Sequence, residues 1–243
     1  MDKCTELTRN RKAPSGHVES LGRLDDLGVV SRFEVDAVIY NCGERADFWY
    51  QIVSGAARKC VFTLDGGRQI VDFLTEGDLF GFDSREIHQF RVETIVSGVR
   101  IARFPRRAAE QMADSDARLA RRLRELAFES VSRIQRRMLI LSRATALEKV
   151  SGFLLEMADR GTIRDPAVTL PMSRNDIADY LAMAVETVCR ALKQLREHSL
   201  IRTGGVRQVY ICDRDALARA AAGSIGGVRN DGVRTHSSSV GSG

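Results

Sequence analysis

The chain has 243 residues, 44% hydrophobic and 28% charged, enough for two modest domains joined by a helix, each able to bury a core without disulfides. No run approaches the roughly 18 apolar residues of a membrane span, and the opening MDKCTELTRNRKAPSGH lacks the apolar centre of a secretory signal, so no membrane partner and a cytoplasmic location are expected. The 37 lysines and arginines against 32 acids leave +5, which permits a polyanionic partner without demanding one, and five scattered cysteines (Cys4, Cys42, Cys60, Cys189, Cys212) make neither a disulfide framework nor a CxxC metal site.

In chain order the sequence divides into a flexible N-terminus (1–20), a β-rich domain (21–112), a long helix (113–143), a helical domain with a hairpin at its end (144–220) and a flexible tail (221–243). Both ends are rich in Gly, Ser and charge, with too little apolar material to offset the entropy of ordering. Between Leu27 and Phe104 short runs such as FWYQIVSG, RKCVFTL, RQIVDFL and ETIVSGVRIARF alternate with glycine turns, notably Asp65-Gly66-Gly67 and Glu76-Gly77-Asp78. That rhythm predicts an antiparallel sandwich or barrel, with Phe48, Trp49 and Tyr50 filling its core. Cys42, Cys60 and Cys212 lie in strand-like apolar settings and are expected to pack. His88 stands alone and reads as a turn or surface residue.

From Ser115 to about Arg143, Leu119, Leu123, Leu126, Ile134, Met138 and Leu141 recur at three-, four- or eight-residue steps, with Ser130 in the gap and arginine filling much of the rest. A helix of about 28 residues spans roughly 42 Å, more than a domain of this size needs for itself. A coiled-coil seam with a second copy explains the length. The same stripe also fits a single amphipathic helix packed on its own β domain.

Further on, LEKVSGFLLEMA (147–158) carries an apolar face, and Pro166 and Pro171 break the chain. Ser173 followed by Asp176 predicts a capped helix start, with Ile177, Ala178 and Leu181 on its buried side. Ala182-Met183-Ala184 is too short for anything but a turn into a second, steeply crossing helix from Val185 to about His198. Burying Val185, Val188, Leu192 and Leu195 leaves Glu186, Thr187, Cys189, Arg190 and Lys193 outward on the first turns, where a recognition helix meets the major groove. Arginine bonds guanine O6 and N7 bidentately and glutamate accepts from cytosine N4, so Glu186, Cys189 and Arg190 are candidate base contacts. The spacing of Glu186 and Arg190 also suits an i,i+4 surface ion pair. LIRTGGVRQVYI alternates around Gly204-Gly205 as a two-stranded wing with Arg202 and Arg207 in reach of phosphate, and Ser173, Arg174, Thr187 and Lys193 complete the candidate backbone contacts. No GxSxG, Walker loop, HExxH or paired carboxylate frame is present in the sequence, so no catalytic residue is expected.

MSRNDIADYLAMAVETVCRALKQL resembles the DNA-binding signature of the CRP/FNR family of bacterial regulators, and GERADFWYQIVSGAARKC, DGGRQIVDFLTEGDLFGF and the arginine-rich helix resemble its β-roll and dimerisation helix. The resemblance runs from about Leu27 to Leu217. It implies an α+β chain: a cyclic-nucleotide-binding-like β-roll, a long dimerisation helix and a C-terminal winged helix-turn-helix. Its partners would be palindromic double-stranded DNA with TTGA-type half-sites, a second copy of the chain, and RNA polymerase. In the family the ExxxR residues touch bases, here Glu186 and Arg190. The N-terminus offers only Cys4 where FNR-type proteins hold an iron–sulfur centre. In GFDSREIHQFRVETI, Gly81 and Arg91 match the cyclic-nucleotide pattern but its acidic and hydroxyl partners do not line up. The set DGGRQI, FLTEGDLFGF, IHQFRVETI and ETVCR most resembles the FixK group, activators of microaerobic and nitrogen-related genes, which implies no cofactor and no effector. The other reading is a β-roll that needs cAMP or another small ligand. Cys189 stands where many relatives have Ser, beside Arg190 and near Lys193. Positive potential there favours oxidation, and a sulfinate or sulfonate would face DNA phosphate, so redox modulation at Cys189 is one reading; the other is that Cys replaces Ser as a small contact residue.

Overall fold

Alternating burial along the β-rich region closes it into two antiparallel sheets. The computed structural model describes residues 22–64, 66–83, 86–160, 167–204 and 207–223; the N-terminus, most of the tail, Asp65 and Gly205 lie outside them. After a 3-10 turn (Gly22–Leu27) come β1 (Val29–Phe33), β2 (Val38–Tyr40), β3 (Phe48–Ser54), β4 (Ala56–Phe62), β5 (Arg68–Thr75), β6 (Leu79–Phe80), β7 (Arg91–Thr94) and β8 (Val99–Pro105). One sheet runs β1-β8-β3-β6 and the other β2-β7-β4-β5. Ile52, Ala57, Leu74, Phe80, Val92, Val99 and Ile101 fill the space between them. Trp49 is buried as expected, in a second cluster with Leu79 and Phe104, while Phe48 and Tyr50 are half-buried. The turn at Gly77 takes φ 89°, a left-handed conformation for which glycine has no steric penalty, and its amide donates to the Ile52 carbonyl at 2.9 Å.

Two expectations fail here. His88 is 1% exposed rather than superficial: its Nδ1 lies 2.8 Å from Asp83 Oδ2 and its ring stacks on Tyr40 at 3.6 Å between centroids. Cys42 is exposed, its thiol donating to the Gln89 carbonyl at 3.3 Å, because it sits in a turn rather than a strand. Cys60 does pack, and burial pushes its thiol up to about 11.

The helical region starts earlier than the apolar stripe indicates. Helix α1 (Arg106–Ser115) follows Pro105 directly, so the expected boundary at 112/113 falls inside it. Asp116 then accepts from Arg118 N at 2.9 Å and Leu119 N at 3.2 Å, capping α2 (Ala117–Leu141). The stripe read from the sequence is two faces, not one. Leu119 and Leu126 are buried against Trp49, Phe104 and Ala109 of the same chain, with Leu123 packed beside them. Phe128, Val131, Ile134 and Met138 are instead 65%, 50%, 51% and 65% exposed, and Leu141 is half-buried. These four step by 3, 3 and 4, the spacing of a seam.

Beyond the helix lie α3 (Ala146–Asp159), β9 (Ala167–Thr169), α4 (Arg174–Leu181), α5 (Val185–Glu197), β10 (Ile201–Thr203), β11 (Gln208–Ile211) and α6 (Arg214–Ala221). The wing is three-stranded, β10-β11-β9, because the segment between the two prolines pairs with β11. Helix α6 packs against α3 and has no counterpart in the sequence reading. Strand β5 is a sheet edge, and two arginines rather than another strand cover its free carbonyls: Arg137 donates to Ile70 O at 2.6 Å and Arg160 to Phe73 O at 2.7 Å. Among the described residues no helix is long and apolar enough to cross a membrane.

Candidate nucleic-acid interface

Ser173 and Asp176 form the reciprocal capping box expected of them, Ser173 Oγ accepting from Asp176 N at 3.1 Å and Asp176 Oδ2 accepting from Ser173 N at 3.0 Å. Ile177, Ala178, Tyr180 and Leu181 are buried, and the helix ends at Ala182 with φ 53°, ψ 54°. That left-handed conformation costs a residue with a Cβ about 1–2 kcal/mol, and replacing it with glycine recovers this against about 0.5–1 kcal/mol of lost chain entropy. Ala182→Gly is therefore expected to raise the thermal midpoint by a few degrees in a calorimetric scan, with DNA affinity unchanged. A lower midpoint would contradict the strain assigned to this turn.

The turn delivers α5 with Val188, Ala191, Leu192 and Leu195 inward. Glu186, Cys189, Arg190 and Lys193 are exposed, and Thr187 is half-buried beside them. Among the described residues no ion pair joins Glu186 to Arg190, so the i,i+4 alternative does not occupy either group. Arg190 Nη2 instead donates to Thr187 Oγ1 at 3.2 Å, which orients the guanidinium and leaves the threonine O–H free to donate elsewhere. Lys193 lies 3.7 Å from Glu197, a water-exposed pair of small worth.

Around this face the other candidates fall into place unevenly. Ser173 is exposed, but its hydroxyl donates to Asp176 Oδ2 at 2.7 Å, so it has no proton left for a phosphate. Arg174, next to it, is close enough to Cys189 to feel it: burial lowers the guanidinium pKa from its ordinary value, and Cys189 acts in the opposite direction. Arg207 is exposed on the wing and Arg202 lies over the Tyr210 ring at 5.7 Å. Gly204 allows that packing, since a Cβ there would collide with the Tyr210 ring. Asn175 and Gln208, both exposed on the same elements, escape a sequence reading because short polar residues carry no periodic signal.

The acids behind the interface pair with arginines of the β-roll. Asp176 Oδ1 lies 3.3 Å from Arg58 Nη1 and 2.8 Å from Arg68 Nη2, and Asp179 Oδ2 is 2.7 Å from Arg68 Nη2. Gln69 Nε2 also donates to the Asp179 carbonyl. In the β-roll itself, Arg91 pairs with Glu93 at 2.6 Å and lies over Phe62 at 5.3 Å, on the opposite side of β7 from the interior residue Val92. It does not face the space between the sheets, so the arginine that matched the cyclic-nucleotide pattern is not placed to hold a phosphate there.

Residues 148–220 match the family model of the Crp-like helix-turn-helix domain, and residues 30–116 that of the cyclic nucleotide-binding domain. The nitrogen fixation regulation protein FixK of Azorhizobium caulinodans is 39% identical over 197 residues, 79% of each chain. FixK of Rhizobium meliloti is 35% identical, covering 85% of this chain and 94% of that one. The solved structure of FixK2 from Bradyrhizobium japonicum superposes with a TM-score of 0.74 at 36% identity, over 79% of this chain and 96% of the other. With a β-roll, a long helix and a helix-turn-helix in the same order as these relatives, the chain belongs to the CRP/FNR family of DNA-binding transcription regulators, in its FixK branch.

Proposed function

We propose that the chain is a cytoplasmic homodimeric activator of microaerobic, anaerobic or nitrogen-related genes that binds a TTGA-type inverted repeat without an effector. The observation that carries this reading is the exposed face of α5, where Glu186 and Arg190 are both free for bases and Arg190 is held by Thr187. Two copies joined through α2 would set two recognition helices about one DNA turn apart. Glu186, Cys189 and Arg190 then face base edges, and Arg174, Thr187, Lys193 and Arg207 face phosphates. Ser173 closes its cap, leaving the neighbouring phosphate to Arg174 and Asn175. Once on DNA the dimer recruits RNA polymerase. Arg91, turned to Glu93, supports an effector-free β-roll.

The test is a titration of purified, reduced protein on a TTGAT-N4-ATCAA duplex and a scrambled duplex at fixed salt, with and without cAMP. Tight binding to the first alone, unaffected by cAMP, is expected. Binding only with cAMP would return the β-roll to the role of ligand sensor.

Redox modulation rests on Cys189 being exposed on the outward face of α5, next to Arg190 in the chain and near Lys193. Oxidation to a sulfinate adds a negative charge to the face that polyanionic DNA must approach. Peroxide is expected to weaken DNA binding by wild type about ten-fold or more, roughly one decade per 1.4 kcal/mol, and to leave Cys189→Ser unchanged. Equal loss in both proteins would assign the oxidation elsewhere.

A further inference from the structure

Buried charges join strand β5 to three helices in one connected network. Arg133 of α2 places Nε 3.3 Å from Asp72 Oδ2 and Nη1 3.0 Å from Asp78 Oδ1. Asp72 Oδ1 also accepts from Arg160 Nη2 at 2.9 Å, and the same nitrogen reaches Glu156 Oε1 at 2.6 Å. Glu156 Oε2 accepts the Tyr180 hydroxyl at 3.0 Å. The charged side chains are 15% exposed or less. One path thus leads from the β-roll through Arg133 to α2. Another leads from Asp72 through Arg160 and Glu156 to Tyr180 on α4, the first helix of the helix-turn-helix.

Such a network is a costly way to hold a core together, because apolar side chains of the same volume would do so without desolvating charge. Its value lies in specificity. Asp72 and Asp78 flank the end of β5 and the Gly77 turn, two carboxylates whose burial is tolerable only with a cation between them. Arg160 serves Asp72, but among the described residues Arg133 is the one cation ion-paired with Asp78. That cation comes from a different element, so Asp78 keeps its ion pair only while α2 sits where it does. A diffusible effector works by the same logic: it binds one arrangement of two elements better than any other and shifts the population toward it.

We infer that Arg133 is a tethered effector, a positioning residue whose guanidinium fills the β-roll–helix junction and thereby holds the DNA-binding domain in its DNA-competent arrangement. This rests on the effector-free reading above and supplies its cause. Shortening the side chain should turn the constitutive regulator into one gated by a free guanidinium.

The experiment measures binding of Arg133→Ala to the TTGAT-N4-ATCAA duplex, with and without millimolar ethylguanidinium, against equal concentrations of ethylammonium and of sodium chloride. Circular dichroism and sedimentation report fold and dimer. Affinity is expected to fall at least ten-fold in a folded dimer and to recover with ethylguanidinium alone. Unchanged affinity, or a loss in a folded dimer that ethylguanidinium does not reverse, would overturn the inference. Should Arg133→Ala not fold, Asp78→Asn keeps the shape and the Thr75 hydrogen bonds while removing the charge Arg133 answers. A several-fold loss of affinity is then expected, and none would refute it. Wild type failing to bind without effector would remove the function proposed above together with this inference, whereas wild type binding beside an unimpaired Arg133→Ala would remove this inference alone.

Discussion

Arg190→Ala is expected to weaken binding to the TTGA-type duplex at least about thirty-fold while leaving fold and dimer intact. The side chain is exposed and bonds Thr187 on the same helix, so its removal opens no cavity. A bidentate arginine–guanine pair discriminates by about 1–3 kcal/mol, and a palindrome presents two of them, about 2–6 kcal/mol in all. The lower end corresponds to about thirty-fold. With Arg190 on a base, as proposed, the slope of affinity against salt should change little on its removal and preference for the G·C pair should relax. Lys193→Ala provides the contrast: without its ammonium at the phosphate of each half-site, the salt slope falls by about one per phosphate and all sequences bind more weakly alike. Titrations at several salt concentrations separate the two. A steep change in slope with Arg190→Ala would move that residue from base to backbone.

Ile134→Glu is expected to convert the protein to monomers at micromolar concentration and to lower DNA affinity more than about a hundred-fold, since a half-site held by one recognition helix forgoes the reinforcement of the second. Ile134 is 51% exposed within a protomer, so the substitution costs little there. In a dimer joined along Phe128, Val131, Ile134 and Met138 it sets two carboxylates against each other in an apolar seam, where an unpaired charge is strongly unfavourable. Leu126→Ala should do the reverse. That side chain is buried in its own protomer, so its truncation costs about 2–5 kcal/mol of folding stability without touching the seam. Sedimentation and thermal denaturation of the two variants tell the faces apart. A dimeric Ile134→Glu would place the interface elsewhere.

The helix-turn-helix is legible in the sequence because every local signal agrees there: the Ser173–Asp176 cap, the short turn, and the buried Val188, Leu192 and Leu195 against exposed Glu186 and Arg190. The stripe on α2 is not, since hydrophobicity says that a residue is buried but not in what. Leu126 and Ile134 look alike in sequence and face different partners. His88 escapes for a similar reason: its burial depends on Asp83 and Tyr40, the second of which is contributed by a distant strand. Residue type alone assigns Ser173 to phosphate, whereas its proton is committed to Asp176. Helices α1 and α6 stay hidden because their alanine- and arginine-rich turns, RRAAEQMADS and RDALARAA, carry too few large apolar residues to show a period. Arg133 cannot be told from the many other arginines of α2, nor Arg160 from an ordinary cap residue, because ion pairing across a fold leaves no mark on spacing.

Strand β5 ends its sheet, with no strand on its outer side among the described residues, and Arg137 and Arg160 from α2 and the end of α3 donate to its Ile70 and Phe73 carbonyls. An uncovered edge of this kind is a template for pairing with other chains. The β-roll is therefore a poor cassette to lift out or fuse to a different output domain: cut before α2, it would carry a sticky border and, at Asp78, a buried acid without its cation. In this chain the sensor-like half has become dependent on the half it would otherwise command, and recombination that exchanges one must carry both.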